Sequence, residues 1–348
     1  MSQHRANDGI PVYVQVDILD YDASAHRLEL AGWGVTRRGA AERYEIVAPD
    51  GSRVKADSVP RPDLAQAHPA VDRIDQASFS IVGEGIDLAP GQVIETAIIL
   101  MEGGVDVGML PIGFRNSARR IPLPDPDFMR RVANSNSQKY FLASGNRHAQ
   151  DVARMLRPHR DPREVTAFLD WGCGCGRVTR HLLEVFPNAK PHGTDIDYEA
   201  IEWLSGAIPE GEFHATGLLP PLPYPDASFD FVLASSVFTH LTAEVQDAWL
   251  RELHRVLRPG AILMATTHGE AAAEWVRDPA IDKALRKTGF FDSAPDEGLG
   301  HIASGDYYRA TFQTADYTRT HWLEYFEELE RRVAGLNFHQ DVWMLRRR

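Results

Sequence analysis

The sequence predicts an α/β fold, a mainly parallel sheet covered by helices on both faces, preceded by a smaller all-β domain. Three features carry that reading. Apolar residues alternate at period two across much of residues 11–114, as on the buried face of antiparallel strands. Pro122, Pro124 and Pro126 then punctuate residues 119–127, which favours an extended linker over any regular element. Beyond them the apolar run Val165-Thr166-Ala167-Phe168-Leu169 reaches Asp170 and passes into alternate glycines, Gly172, Gly174 and Gly176, before a helical pattern begins. The expected domains are residues 1–118, a linker at 119–127, and residues 128–348.

In the N-terminal part Val12, Val14, Val16 and Ile18 repeat every second residue, as do Leu28 and Leu30 before Gly32-Trp33-Gly34. Pro49-Asp50-Gly51 supplies turn chemistry for a hairpin between residues 44–47 and 52–56. Residues 79–82, 93–100 and 105–110 add three strands, and short strands at this spacing suggest an antiparallel sandwich. Trp33 reads as a core residue, with stacking on a sugar face as the alternative.

After the linker, residues 128–157 read as helical with a break at Ser144-Gly145-Asn146. The glycines form a turn, because they tolerate positive φ and let a ligand approach the backbone with no Cβ in the way. Val178, Leu182, Val185 and Phe186 mark one face of the helix that follows. Residues 190–195 form a second strand ending in Asp195, about twenty residues past the glycines, where a nucleoside ribose would be held. Asp197 is the expected N-cap of the next helix. Residues 212–216 and 229–235 give strands three and four, the latter almost wholly apolar as in a sheet covered on both faces. Residues 244–257 form an amphipathic helix, with Val245, Trp249, Leu253, Val256 and Leu257 on its inner face. Pro259-Gly260 ends it before strand five at 261–267. Residues 270–308 mix helix with the glycine-rich stretch Glu297-Gly298-Leu299-Gly300-His301, a candidate lid. Thr314 opens a last helix, and residues 326–334 and 340–346 pair as an antiparallel hairpin.

Composition narrows the function. The chain has 348 residues, 43% of them hydrophobic and with a formal net charge of -12, enough apolar residues for two cores and the wrong sign for a phosphate backbone. No nucleic-acid partner is expected. Its two cysteines, Cys173 and Cys175, both lie in the glycine turn, where they suit neither a long-loop disulfide nor a zinc site. The first residues have no apolar leader core and no run is long enough to span a bilayer, so a soluble, cytoplasmic protein without membrane insertion is expected.

Gly172, Gly174 and Gly176 read G-x-G-x-G, whereas a dinucleotide fingerprint reads G-x-G-x-x-G; a nicotinamide or flavin domain remains the structural alternative. Together with residues 223–233, 236–241 and 253–260, the pattern resembles class I S-adenosylmethionine-dependent methyltransferases, with Asp195 matching their ribose-binding acid. The resemblance implies a Rossmann-like seven-stranded sheet and S-adenosyl-L-methionine as cofactor. It places cofactor contacts at Asp170, Gly172, Cys173, Gly174, Gly176, Arg177, Asp195, Ile196, Gly217, Leu218 and Ser235. The preceding helical segment caps the cofactor in that family, which makes Tyr140 and Gly145 candidates. One departure stands out: the acid that often follows strand three is replaced here by Gly217-Leu218-Leu219-Pro220. Gly32-Trp33-Gly34 and Arg61-Pro62-Asp63 are similar to an accessory β-domain of bacterial glycan-synthesis enzymes, which implies a glycan or small-molecule partner.

A hydroxyl acceptor must lose a proton, and histidine is the usual base near neutrality. Of 14 histidines, His240 and His268 follow the C-terminal ends of strands four and five, where an open α/β sheet binds its ligand, with Ser236, Phe238, Thr239 and Gly269 nearby. Both are candidate catalytic residues, with Asp341 as a further acid; His240, His268 and His301 lack the spacing of a metal motif, so no metal is expected. The expected function is O-methylation of a sugar hydroxyl. Small-molecule N- or C-methylation, or a non-catalytic cofactor-binding subunit, are the alternatives.

Overall fold

The computed structural model describes residues 13–36, 39–48, 50–69, 71–295, 302, 307–336 and 339–348. Val12, Pro49 and the glycine-rich stretch with His301 lie outside them. The chain divides into two units, one of Met1–Arg120 with Ser137–Asp151 and one of Ile121–Asn136 with Val152–Arg348.

The first unit holds β1 (Tyr13–Asp22), β2 (Arg27–Thr36), β3 (Gly39–Ala40), β4 (Arg43–Val47), β5 (Arg53–Lys55), the short helix α1 (Pro62–Ala67), β6 (Ser78–Glu84), β7 (Val93–Glu102) and β8 (Val105–Arg115). They form two antiparallel sheets, β1-β2-β3 with β6 on β2, and β5-β4-β7-β8, as the period-two pattern anticipated. At the β4–β5 turn Gly51 takes φ +84° and Asp50 Oδ1 accepts from Ser52 N at 2.9 Å, which is why Asp-Gly suits it. Tyr44 reaches from one sheet to the other, donating its hydroxyl to Gly34 O and packing on Phe79. Trp33 is 3% exposed, against Tyr13 and His68, and serves the core.

Two helices follow, α2 (Pro126–Ala133) and α3 (Gln138–Leu156). Asp125 caps α2, accepting from Asp127 N, with Pro126 at its first position. The helical break expected at residues 144–146 lies instead before α3, where Asn134 takes a left-handed φ of 51° and ends α2. α3 runs unbroken through Gly145. Asn146, instead of turning its amide on its own backbone, uses it on the end of β8, accepting from Arg115 N at 3.0 Å and donating to Arg115 O at 2.8 Å. Gly113 leaves the space that Gln150 fills, since a Cβ there would stand 2.6 Å from the Gln150 Cβ.

The second unit continues with β9 (Ala167–Trp171), α4 (Thr179–Val185), β10 (Lys190–Asp195), α5 (Tyr198–Ala207), β11 (Glu212–Ala215), β12 (Phe229–Ala234), α6 (Ala243–Val256) and β13 (Leu257–Thr267). Then come α7 (Glu270–Val276), α8 (Pro279–Thr288), the β14 (Phe290–Pro295) and β15 (Arg309–Gln313) pair, α9 (Ala315–Trp322), β16 (Phe326–Leu336) and β17 (Gln340–Arg347). Seven strands make one sheet in the order β11-β10-β9-β12-β13-β17-β16, parallel except where β17 runs against both its neighbours. Strand order reverses between β9 and β12, so the crevice for a ligand opens at their C-terminal ends.

Every residue of β12 is buried, Asp230 included. Its Oδ2 accepts from Thr166 N at 2.8 Å and Thr166 Oγ1 at 2.6 Å, and Arg258 pairs with it at 2.8 Å. Burial opposes its ionisation, but these partners outweigh burial and hold the carboxyl at about 2. On one side of the sheet Trp171, Phe238, Trp249 and Trp322 pack ring to ring, with centroids of 4.5 Å to 5.2 Å. Such pairs are each worth about 0.5–1.5 kcal/mol beyond the area they bury. Pro259-Gly260, expected as a turn, lies inside β13 at a register shift against β12. No helix among the described residues is long and apolar enough to cross a membrane.

Candidate functional site

β9 delivers its last residues into a turn in which Gly172, Gly174 and Gly176 have φ of +80°, +52° and +78°. A Cβ on Gly172 would stand 2.4 Å from Val237 Cγ2 and one on Gly174 2.3 Å from Val132 Cγ1, so both the backbone angle and the space require glycine. Gly176 makes room for a different neighbour, Leu204 of α5, at 2.5 Å. The turn consumes its own donors: Gly172 N and Cys173 N go to Thr194 O, Gly174 N to Asp195 Oδ2 and Gly176 N to Cys173 O.

Beside the turn is a cavity of about 380 Å³, within the range of small-ligand sites. Of the residues singled out in the sequence, Asp170, Gly172, Cys173, Gly174, Arg177, Asp195, Ile196, Ser235, His240 and His268 line it. Gly176, Gly217 and Leu218 are not part of the lining. Thr216 stands there in place of Gly217, and Leu218 acts from behind, its carbonyl accepting from Trp249 Nε1 at 3.2 Å. Tyr140 and Gly145 are not in the lining either; Arg131, Val132 and Asn134 at the end of α2 occupy that side. Phe238 and Thr239 point into the core. Asp341 is 1% exposed and held by Arg331 at 2.6 Å, and Gly269 serves to admit it. Arg131, Trp249, Tyr307, Tyr308 and Gln340 were not foreseen as lining residues.

The floor of the cavity is anionic. Asp195 accepts from Gly174 N at 2.7 Å and from Asp197 N at 2.9 Å, one on each oxygen, and each oxygen keeps a lone pair for a ligand hydroxyl. Burial raises its pKa, and these N–H bonds oppose that. Burial also pushes Asp170 up to about 6, against the hydrogen bond from Thr179 Oγ1 at 2.6 Å. Arg131 is neutralised by Asp197 and Glu199, each at 2.9 Å. Burial raises the Cys173 thiol well above its ordinary value and pushes Cys175 up to about 12, so both are packing residues, not nucleophiles. A pyrophosphate needs free N–H groups at a glycine turn. Here four of them are used and two carboxylates stand beside them, which suits a ligand with hydroxyls and a cationic end.

The far side is built by the ends of β12 and β13 and by the segment after them. His240 Nδ1 lies 3.2 Å from Arg309 O and its ring stacks on Tyr308 at 4.1 Å. His268 Nδ1 lies 3.1 Å from Thr311 O. A carbonyl can only accept, so in each of these contacts Nδ1 is the donor.

Residues 168–260 match the sequence family described as "Methyltransferase domain". These residues carry a methyltransferase domain. A floor that offers Asp195 to hydroxyls and a second carboxylate to a cation suits S-adenosyl-L-methionine, the cofactor the sequence resemblance implies. The methyltransferase domain is similar to ajmaline N-methyltransferase of Rauvolfia serpentina, 29% identical over 38% of this chain and 46% of that one. It is also similar to trans-aconitate 2-methyltransferase of Azoarcus sp., 30% identical over 46% of this chain and 62% of that one. The chain spans about half the length of these curated relatives. Among solved structures, the N-methyltransferase NodS of Bradyrhizobium japonicum, in complex with S-adenosyl-L-homocysteine, aligns with a TM-score of 0.42 at 16% identity, over 64% of this chain and 99% of that one.

Proposed function

We propose that the protein transfers the methyl group of S-adenosyl-L-methionine to a hydroxyl of an uncharged carbohydrate. The observation that carries this is the chemistry of the acceptor side: Ser235, Ser236, His240, Trp249, His268, Tyr307, Tyr308 and Gln340, hydroxyls, amide, imidazoles and aromatic faces with no lysine, arginine or acid among them. The glycan-type character of the N-terminal part, taken from its sequence, points the same way.

Bound on the Asp195 side, S-adenosyl-L-methionine supplies a methyl carbon already activated by its sulfonium. What remains for the protein is to orient the acceptor, exclude water and take one proton. Asp195 holds the ribose hydroxyls, and Asp170 faces the cationic end. The bound cofactor would supply the methyl group, its sulfur taking the electron pair of the carbon–sulfur bond, and the group that receives it is the acceptor hydroxyl. Its proton passes to Nε2 of His268 or His240.

The test incubates the protein with S-adenosyl-L-methionine and three sets of acceptors, methyl glycosides, dicarboxylic acids and aliphatic amines, and reads methylated products by mass spectrometry. Methylation of glycosides supports the reading; products from acids or amines alone overturn it.

A further inference from the structure

The terminal hairpin brings an amide into the cavity that the family match at residues 168–260 does not include. Gln340 opens β17, and its Oε1 accepts from Ser236 Oγ at 3.1 Å. That leaves the NH2 of the amide as the polar group it can offer a ligand. Ser236 itself is held on two sides, its N donating to Thr266 Oγ1 at 2.8 Å, and it has a left-handed φ of 57° although it is not glycine. Strain of this kind persists where the surroundings over-determine it, and it clusters at ligand contacts. With Oε1 taken by Ser236, the NH2 is the end of the amide turned away from the clamp.

Register adds the second observation. Thr267 pairs with Asp341 at the end of the β13–β17 ladder; His268 is the next residue after β13 and Gln340 the first of β17, and both line the cavity. We infer that Gln340 is a specificity-determining residue: its NH2 holds the oxygen next to the one His268 deprotonates, so the acceptor is a vicinal diol or hydroxy-ether of a sugar ring rather than an isolated alcohol. The inference rests on the hydroxyl reading above.

The experiment compares methyl hexopyranosides with counterparts that lack one hydroxyl of each neighbouring pair. Affinity is read by calorimetry on protein loaded with S-adenosyl-L-homocysteine, and kcat/KM by product formation. The unaltered protein is expected to prefer the intact diols by about 3- to 10-fold, the share of one neutral hydrogen bond. Gln340→Met is expected to abolish that preference while S-adenosyl-L-homocysteine affinity stays unchanged. Ser236→Gly, which accepts the same φ without strain but lacks the hydroxyl, is expected to reduce the preference with no loss of thermal stability; it carries the test should Gln340→Met fail to bind cofactor. An unchanged preference in the folded variants, or none in the unaltered protein, overturns the inference and leaves the hydroxyl reading standing. If the unaltered protein neither binds nor methylates any glycoside, the hydroxyl reading falls and the inference with it.

Discussion

Replacing Asp195 by Asn removes one carboxylate oxygen and puts an NH2 in its place. In the native turn each oxygen already accepts a backbone N–H, from Gly174 at 2.7 Å and from Asp197 at 2.9 Å. The new NH2 must therefore face one of those N–H groups or turn toward the cofactor as a donor. The first choice leaves a buried N–H unsatisfied, at about 1–3 kcal/mol of stability; the second removes a charge-assisted acceptor for a ribose hydroxyl, at about 1.5–3 kcal/mol of affinity. With about 1.4 kcal/mol per tenfold, the affinity term alone weakens S-adenosyl-L-methionine binding roughly 10- to 150-fold. Isothermal calorimetry measures it, and thermal unfolding without ligand reports the stability term. Asp195→Ala lacks the misdirected NH2 but still leaves both N–H groups bare, and it should also bind weakly. If both variants bind the cofactor as the unaltered protein does, Asp195 does not hold the ribose, and the assignment of the cavity floor is wrong.

Asp170 gives a pH-dependent test. Its folded pKa is raised from 3.8 to about 6, so between those values the folded state holds a proton the unfolded state has lost, and ionisation above them costs stability. Relative to Asp170→Asn, the unaltered protein without ligand should lose stability as pH rises from about 4 to 6 and stay level above, while its affinity for the cationic cofactor should increase over the same window; parallel melting and binding curves for the two proteins would refute this. Gly174→Ala combines a left-handed residue, about 1–2 kcal/mol, with a 2.3 Å clash against Val132, and should abolish calorimetric cofactor binding. His268→Gln, or His240→Gln if that ring is the base, should lower turnover by about 10²–10⁴ with cofactor affinity nearly unchanged. Full activity in both single variants would remove histidine from the chemistry.

What could be read in advance was local. Asp197 sits at the start of a helical pattern and caps it, accepting from Ala200 N, and Asp195 ends a strand at a fixed distance from the glycines. Asp50-Gly51 named its own turn. The same locality misled at α3, where Gly145 looked like a break because glycine costs about 0.5–1 kcal/mol in a helix; burial of its neighbours and the Asn146 amide on Arg115 decide otherwise. Gly176 and Gly269 carry no mark to tell them from ligand-facing glycines, since the side chains they admit, Leu204 and Asp341, are distant in sequence. Arg131, Tyr308 and Gln340 were hidden for a related reason. They come from segments before and after the matched region, and only the sheet order brings them to one cavity.

The way the glycine turn uses its own N–H groups has a dynamic consequence. Because Gly172, Cys173, Gly174 and Gly176 are satisfied by Thr194, Asp195 and one another, the turn keeps its shape with no ligand present. Amide hydrogen exchange there should already be slow in the free protein and should slow little more when cofactor binds. Association then needs no ordering of the turn, so its rate should follow diffusion and the approach of a cation to the buried carboxylates, falling as salt is added.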